Sequence, residues 1–474
     1  MAIHSTASHG LEIGRRALQA QQAGLNTTGH NIANVNTPGF SRRQVELVNA
    51  VSAVNGSIGD GADAATVGRQ RSRFVDAQVR VQQQVLGHWQ ERERNMRGIE
   101  AIFNEPAGAG SSEAGTVFNE PSGVGLSGSL SRFWNAWQDL ANVPESGAAR
   151  AAVRQEGEFL ATTLRQYHGK LLDTRLGLDQ EVQDMVVEIN ELLDQLASVN
   201  AEIPQARFAE GAAADLEDQR DRLVDQLALM VDISVSEQDN GQMNVLLSGH
   251  NLVEGDYAIH LEVRQLTQNG ITAGRVAFAD DHTLAPVSEG RLRGAMEVRD
   301  EVIPGLLGKL DEIAGGFVEE VNRLHRDGYG RDGSTGINFF DPFKTGASNI
   351  AVADAIKEDL NNLAASTDGN AGDNGTALAI SGLRNRDLLA GDTATVEEFY
   401  NELLGEVGSL SKEAQTMAEN HRLFSQQIEN RRQSVQGVSL NDEASQLVLF
   451  QRAYQAAART VSIVDELLEV TINI

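Results

Sequence analysis

Residues 440–470 read LNDEASQLVLFQRAYQAAARTVSIVDELLEV. Leu440, Leu447, Tyr454, Val461 and Leu468 recur every seven residues, and Phe450, Ala457 and Val464 are offset from them by three. A seven-residue apolar repeat puts these side chains on one seam of a helix, the pattern by which two helices wind around each other. Ser439 stands where it can cap this helix, with Asp442 three residues on. The other end keeps the same period in Leu11, Leu18, Leu25 and Ile32, but Gly14, Gln21 and Thr28 occupy the partner positions, so this seam is one residue wide. Its helix is expected to stop before Pro38, because the residue preceding a proline avoids the helical region. Isolated helices of this kind are marginal in water. The two ends are therefore expected to order by pairing in a coiled coil and by packing against neighbours.

Three further apolar stripes lie inside the chain at three-and-four spacing, the mark of an amphipathic helix. One runs through Phe74, Val81, Val85, Trp89, Met96, Ile99 and Phe103. A longer one runs from Tyr167 through Leu178, Ile189 and Leu196 to Ile203, where Pro204 is expected to stop it. The third runs through Val396, Phe399, Leu403, Val407, Leu410, Met417, Phe424 and Ile428. All three read as structural core. Between Met230 and Gly290 the pattern changes to short β-branched segments, Val231–Val235, Gln242–Leu247, Tyr257–Val263 and Arg275–Phe278. Asn240-Gly241 and Asn269-Gly270 punctuate them as hairpin turns. Helical periodicity returns from Leu292 to Leu324, and Pro106–Gly128 and Asp327–Gly336 read as loops. The expected fold is mainly α with an inserted small β domain: an elongated, multi-domain chain of long helices whose terminal heptad helices pair. Its expected divisions are 1–50, 51–230, 231–290, 291–434 (loop-rich near 327–395) and 435–474.

With 474 residues, 41% of them hydrophobic, the chain suits several folded domains rather than one core or a disordered polymer. The absence of cysteine excludes disulfides, thiolate metal sites and cysteine nucleophiles. No apolar signal region opens the N-terminus, and no run approaches the roughly 18 apolar residues of a membrane span. A net charge of −28 argues against nucleic acid as a partner. The charge is uneven: residues 1–100 carry 11 arginines against 8 acids, or +3, which leaves −31 for the rest. A solvated acidic surface explains this most simply; complementary charge between stacked copies is the sharper reading.

Phosphate-binding glycine loops, serine-nucleophile elbows and zinc-protease motifs are all missing. His250, His260 and His282 are spaced so that they could meet, but ordinary surface histidines are the simpler reading. The acidic run Asp368–Asp373 lacks the glycine and glutamate of a calcium loop and reads as a flexible turn. No catalytic, cofactor-binding or metal-ligating residue is assigned, no cofactor is expected, and the chain is read as a non-enzyme.

The most specific string is Gly29-His-Asn31-Ile-Ala-Asn34-Val-Asn36-Thr37-Pro38-Gly39-Phe40-Ser-Arg-Arg43. It describes a helix end and a tight turn, with Pro38-Gly39 suited to type II geometry and Phe40 placed to fold back. This string, with Leu18–Leu25 before it, resembles the N-terminal signature of the flagellar rod, hook and hook-associated proteins. Gly437–Ala444 and Leu447–Arg459 resemble the matching C-terminal signature. The helical insert after the first signature, Leu324–Gly330 and Gly336–Phe340 are similar to the members that join hook to filament. The resemblance implies a structural part of the bacterial flagellum, extracellular, needed for filament assembly and exported unfolded through the flagellar channel without a cleaved signal. It implies as partners further copies in a ring, the hook protein, a second hook–filament junction protein and an export chaperone on the C-terminal helix, with no nucleic acid and no membrane insertion. The assembly interface would lie on the two heptad seams. Another axial protein of the same class, or a secreted binding module on axial ends, remains the alternative.

Overall fold

The computed structural model describes residues 2–49, 61–103, 125–208, 213–268, 271–370 and 372–472. Helix α1 (Ala2–Ala33) leads through a turn into a hairpin of β1 (Arg43–Asn49) and β2 (Ala62–Arg69). Four helices follow: α2 (Arg73–Phe103), α3 (Gly125–Asn142), α4 (Gly147–Phe208) and α5 (Ala213–Met230). Strands β3 (Ile233–Glu237), β4 (Met243–Leu247), β5 (His250–Glu254) and β6 (Tyr257–Ala258) form an antiparallel meander, and β7 (Leu261–Gln268) pairs with β8 (Ile271–Phe278). Helix α6 (Gly290–Glu297) passes through a π-helical turn at Val298–Val302 into α7 (Ile303–Asp327). The irregular stretch that follows contains α8 (Asp354–Glu358) and α9 (Gly375–Ser381), and then come α10 (Val396–Gln436) and α11 (Leu440–Ile472).

The spine is α4, 62 residues and therefore roughly 93 Å long at the helical rise. Three of its polar residues clip the strands to it. Asn200 donates to the Met243 and Gly255 carbonyls and accepts from the Met243 amide at 2.8–3.1 Å. Asn190 exchanges a matching pair with Leu261, and Asp179 accepts from the Gly274 amide. Each clip satisfies backbone groups that burial would otherwise leave without partners. The buried strand residues Val245, Leu247, Leu252 and Val253 belong to one continuous core with Leu193, Leu196 and Leu227. The β segments are thus built onto the helical body.

Away from α1 and α11, α3 brings Phe133, Trp134 and Trp137 against Phe317 of α7 and against Phe339 and Phe340, with ring centroids 4.9–6.0 Å apart. Asn322 exchanges two hydrogen bonds with Phe340, and His325 donates from Nδ1 to the Ile337 carbonyl while Nε2 accepts from the Ala364 amide. The string Leu324–Phe340 therefore folds back on α7 through one buried imidazole and one buried amide.

Several expectations need correction. Pro204 does not stop α4, which runs on to Phe208; a proline in the closing turn removes a single hydrogen bond. The stretch 62–69, expected within a helical region, is a strand of the hairpin. Helix α3 has no counterpart among the expected elements, and Gly125–Gly128, expected as loop, is its first turn; 104–124 and Asn269-Gly270 lie outside the described residues. Tyr257–Val263 divides into β6 and the start of β7. The Asp368–Asp373 run is a tied turn: Asp373 accepts from the Thr367 hydroxyl, the Ser366 hydroxyl and the Gly375 amide. On α2 the apolar core positions are Val75, Val79, Leu86, Met96, Ile99, Ile102 and Phe103, whereas Phe74 and Val81 face solvent. On α10, Phe424 faces solvent too.

Two histidines give stability opposite pH limits. Burial pushes His325 down to about 4, so it is neutral in the folded protein. Burial also opposes charge on His88, but hydrogen bonds from its ring to Glu289 and Glu297 at 3.0 and 2.6 Å prevail and raise it to about 9. Below 6.5 the unfolded chain takes up a proton that folded His325 refuses, so stability falls between pH 6.5 and 4. Above 6.5 the folded chain holds a proton that unfolded His88 releases, so stability falls between pH 6.5 and 9. Urea unfolding of the body should be most resistant near neutral pH. His88→Gln should flatten the alkaline limb, with roughly 3 kcal/mol of pH dependence lost.

Candidate functional site

Helices α1 and α11 run antiparallel in one register along their described length. Gly10 lies against Val464, Gly14 against Val461, Gly24 against Phe450 and Asn31 against Glu443. The approach is close because α1 presents small residues. A Cβ on Gly14 would sit 2.5 Å from Val461 Cγ2, and one on Gly24 would sit 2.6 Å from the Phe450 ring. On α11 the residues Leu447, Phe450, Tyr454, Ala457, Val461, Val464 and Leu468 are half-buried, while Leu440 is exposed. On α1 the deepest positions are Gly14, Ala20, Gly24, Thr28 and Asn31. Leu18, Leu25 and Ile32 are half-buried, and Leu11 is exposed. The face of α1 that meets α11 is thus the small-residue row beside the leucine seam: large side chains of α11 need glycine opposite them.

The pair is fastened at one end by buried polar groups. Asn31 exchanges two hydrogen bonds with the backbone of Arg43, at 2.9 and 3.0 Å, and donates to Glu443 at 3.0 Å. Glu443 is 1% exposed and takes its second partner, Arg42 Nε, at 2.7 Å. A buried carboxylate needs such company, since removing one partner strands a charge. The Arg42 amide donates to the Gln436 carbonyl, and the Gln436 side chain donates to Asp76 at the start of α2. The two signature strings therefore recognise each other across some four hundred residues of sequence. Glu443 lies off the apolar period, and in the sequence it shows only as one of two acids, with Asp442, on the first turn of the heptad helix.

Around this clasp the turn closes as expected. Phe40 N donates to the Thr37 carbonyl, Gly39 has φ of 77°, and Thr37 Oγ1 donates to Asn34, whose amide reaches the His30 carbonyl. Phe40 packs back against His30, while Asn36 and Pro38 stay exposed. A Cβ on Gly39 would collide with Arg222 of α5, so the turn leans on the body.

The junction of terminal pair and body is ionic. Ser41 donates to Asp218, Arg43 meets Asp215, and Arg69 contacts Glu217, Asp218 and Asp221 at 2.8–2.9 Å. Arg71 bridges Asp76 and Asp221, and Arg80 reaches Asp221 and Asp225. Burial opposes charge on Asp221, yet Arg71, Arg220, Arg69 and Arg80 hold it far below the usual carboxylate range. The charge imbalance in the sequence is thereby partly neutralised within one chain, because arginines before residue 100 pair with acids of α5 and α11.

His250, His260 and His282 do not gather: each bonds a different acid, Asp280, Asp194 and Glu262 respectively. Among the described residues, the histidine and acids close enough to share an ion are His250, Asp280 and Asp281.

A chain whose two ends clasp into an antiparallel helical pair beneath a helical body is built as an axial subunit. Residues 11–40 match the family described as "Flagella basal body rod protein", and 432–474 match "Flagellar basal body rod FlgEFG protein C-terminal". Residues 111–340 match "Flagellar hook-associated protein FlgK helical domain". Flagellar hook-associated protein 1 of Bacillus subtilis is 31% identical over 98% of this chain and 97% of its own length. The protein of that name from Escherichia coli is 22% identical over 96% of this chain and 98% of its own. The solved flagellar hook junction protein FlgK of Burkholderia pseudomallei shares the fold, with a TM-score of 0.64 at 14% identity over 76% of this chain and all of its own. The chain belongs to the flagellar hook-associated protein 1 family.

The clasp makes two substitutions informative. Gly24→Val should force α1 off Phe450, so that protease trims both ends while the body melts unchanged. Asn31→Ala should strip Glu443 of a donor and leave the Arg43 backbone unpaired, weakening protection of α11 against hydrogen exchange by about 2 kcal/mol.

Proposed function

We infer that the chain is a structural subunit of the bacterial flagellum that joins hook to filament and is needed for filament assembly. The observation that carries this reading is the second apolar face left on the paired ends. With the heptad residues turned toward α1, α11 still presents Leu449, Ile463, Leu467 and Val470 to solvent. These residues follow helical spacing on a face away from the partner helix. A clasped pair with such a stripe adheres to further helices of the same kind without unfolding, and apolar burial between copies supplies the adhesion.

On this reading Leu11, Leu18, Leu25 and Ile32 beside the small-residue row, and Leu440 on α11, belong to the assembly interface together with the outer stripe. The heptad set from Leu447 to Leu468 builds the pair that is assembled. The partners would be further copies in a ring, the hook protein and the second junction protein. An export chaperone would cover α11 before assembly, and the subunit would reach the cell exterior through the flagellar channel without a cleaved signal. No described helix is long and apolar enough to cross a membrane.

In cells lacking the native gene, Ile463→Asp with Leu467→Asp should leave a protein whose helix content and terminal pairing are intact by circular dichroism and hydrogen exchange. Electron microscopy should then show hooks without filaments, with filament protein in the medium. Normal filaments on these cells would refute the outer stripe as an adhesive surface.

A further inference from the structure

A further exposed apolar face lies on the body. Helices α2 and α10 pack antiparallel, anchored by Gln82 with His421, Asp76 with Gln436 and Arg92 with Glu413. Their helical phase from these anchors puts Phe74, Val81 and Val85 of α2 on the same side as Met417, Phe424 and Ile428 of α10. Phe74 is 65% exposed, Val81 60% and Phe424 51%. These are members of stripes whose period is that of a core, yet among the described residues nothing covers them. Phe74 and Phe424 are among the largest apolar side chains the molecule leaves in water.

The charge on this face is as unusual as its apolarity. Between Met417 and Arg431 the exposed positions of α10 on the Phe424 side are Asn420, Phe424, Gln427 and Arg431, with the Glu419–Arg422 ion pair turned away from it, and α2 adds exposed Ala77 and half-buried Gln78. A molecule with net charge −28 has kept carboxylates off this strip and left it one exposed arginine. The outer side of α4 has the opposite character. Leu172, Leu176 and Val187 are exposed there, with Asp173, Asp184, Glu188 and Glu191 exposed around them. None of those four acids forms an ion pair with a described residue.

We propose that the α2–α10 strip of one copy docks against the outer stripe of α4 on a second copy, Phe74, Val81 and Phe424 meeting Leu172, Leu176 and Val187, with Arg431 set among the acids of α4. This rests on the self-assembly inferred above and names the lateral contact of the body. The two surfaces differ, so the contact is heterologous: it repeats from copy to copy and closes into a ring or winds into a helix instead of stopping at a dimer. The charges give it direction, because strip against strip would bring arginine to arginine and stripe against stripe would bring acid to acid.

The cysteine-free chain permits a direct test. Two full-length single-cysteine forms, Phe424→Cys and Leu176→Cys, are co-expressed, and their flagella are isolated and oxidised. Disulfide between the two forms should exceed, by about tenfold, that between Phe424→Cys and a control Glu358→Cys. Equal yields overturn the contact. Phe424→Asp, at a solvent-facing position, should melt like the parent yet assemble at least tenfold more weakly. Arg431→Glu should weaken assembly and Glu188→Arg in the same chain should restore it. If Phe424→Asp and Arg431→Glu assemble normally while Ile463→Asp with Leu467→Asp does not, this contact is wrong and the terminal stripe stands. If all of them assemble normally, both readings fall.

Discussion

The rest of the molecule depends on how closely α1 can approach α11. Glycines at 14 and 24 admit Val461 and Phe450 to contact distances that a Cβ would prevent, and Gly10 lies close against Val464. That proximity brings Asn31 within reach of Glu443, and Asn31 in turn holds the backbone of Arg43 where the first strand begins. Apolar packing alone would tolerate a slip along the helices. A buried carboxylate with two specified donors does not, because a shift of one turn leaves it charged and alone.

Body and ends are stabilised by different physics. The body has a continuous apolar core in which α4, the strands and the aromatic group around Phe133 are consecutive parts. The connection to the ends rests on guanidinium groups set among carboxylates of α5. Charge-assisted bonds of this kind are directional and costly to leave half made. They therefore specify an angle between the two parts, where an apolar contact would specify only an area.

The sequence showed most clearly what repeats. The heptads, the long stripe of α4 and the β-branched segments all left a period that could be counted, and Pro38-Gly39 left a turn whose dihedral the structure repeats. What does not repeat was harder to read. Glu443, Asn31 and the arginines at 42, 69 and 71 have meaning only once residues hundreds of positions apart are brought together. The hairpin of β1 and β2 is short and has one end in helical surroundings, so neither period was long enough to declare itself. Helix α3 did carry a signal, Leu126, Leu130, Phe133, Trp137 and Leu140 at helical spacing, but a glycine-rich neighbourhood obscured it. Phe74, Val81 and Phe424 are the instructive reversal: period marks a side chain that wants covering, and one chain does not contain every cover.

The pairing of α1 with α11 also orders events in time. Its contacts join residues at opposite extremes of the sequence, so the entropy of bringing them together is that of closing nearly the entire polymer. Within the body, α3 with α4 and α4 with α5 join neighbours along the chain and have no such delay, whereas α2 with α10 shares the long closure. Whichever extremity emerges first, from a ribosome or from any narrow passage, it must wait for the other before it can find its counterpart. The clasp consequently forms late in maturation, and a molecule held part way through a conduit has its two tails unmarried.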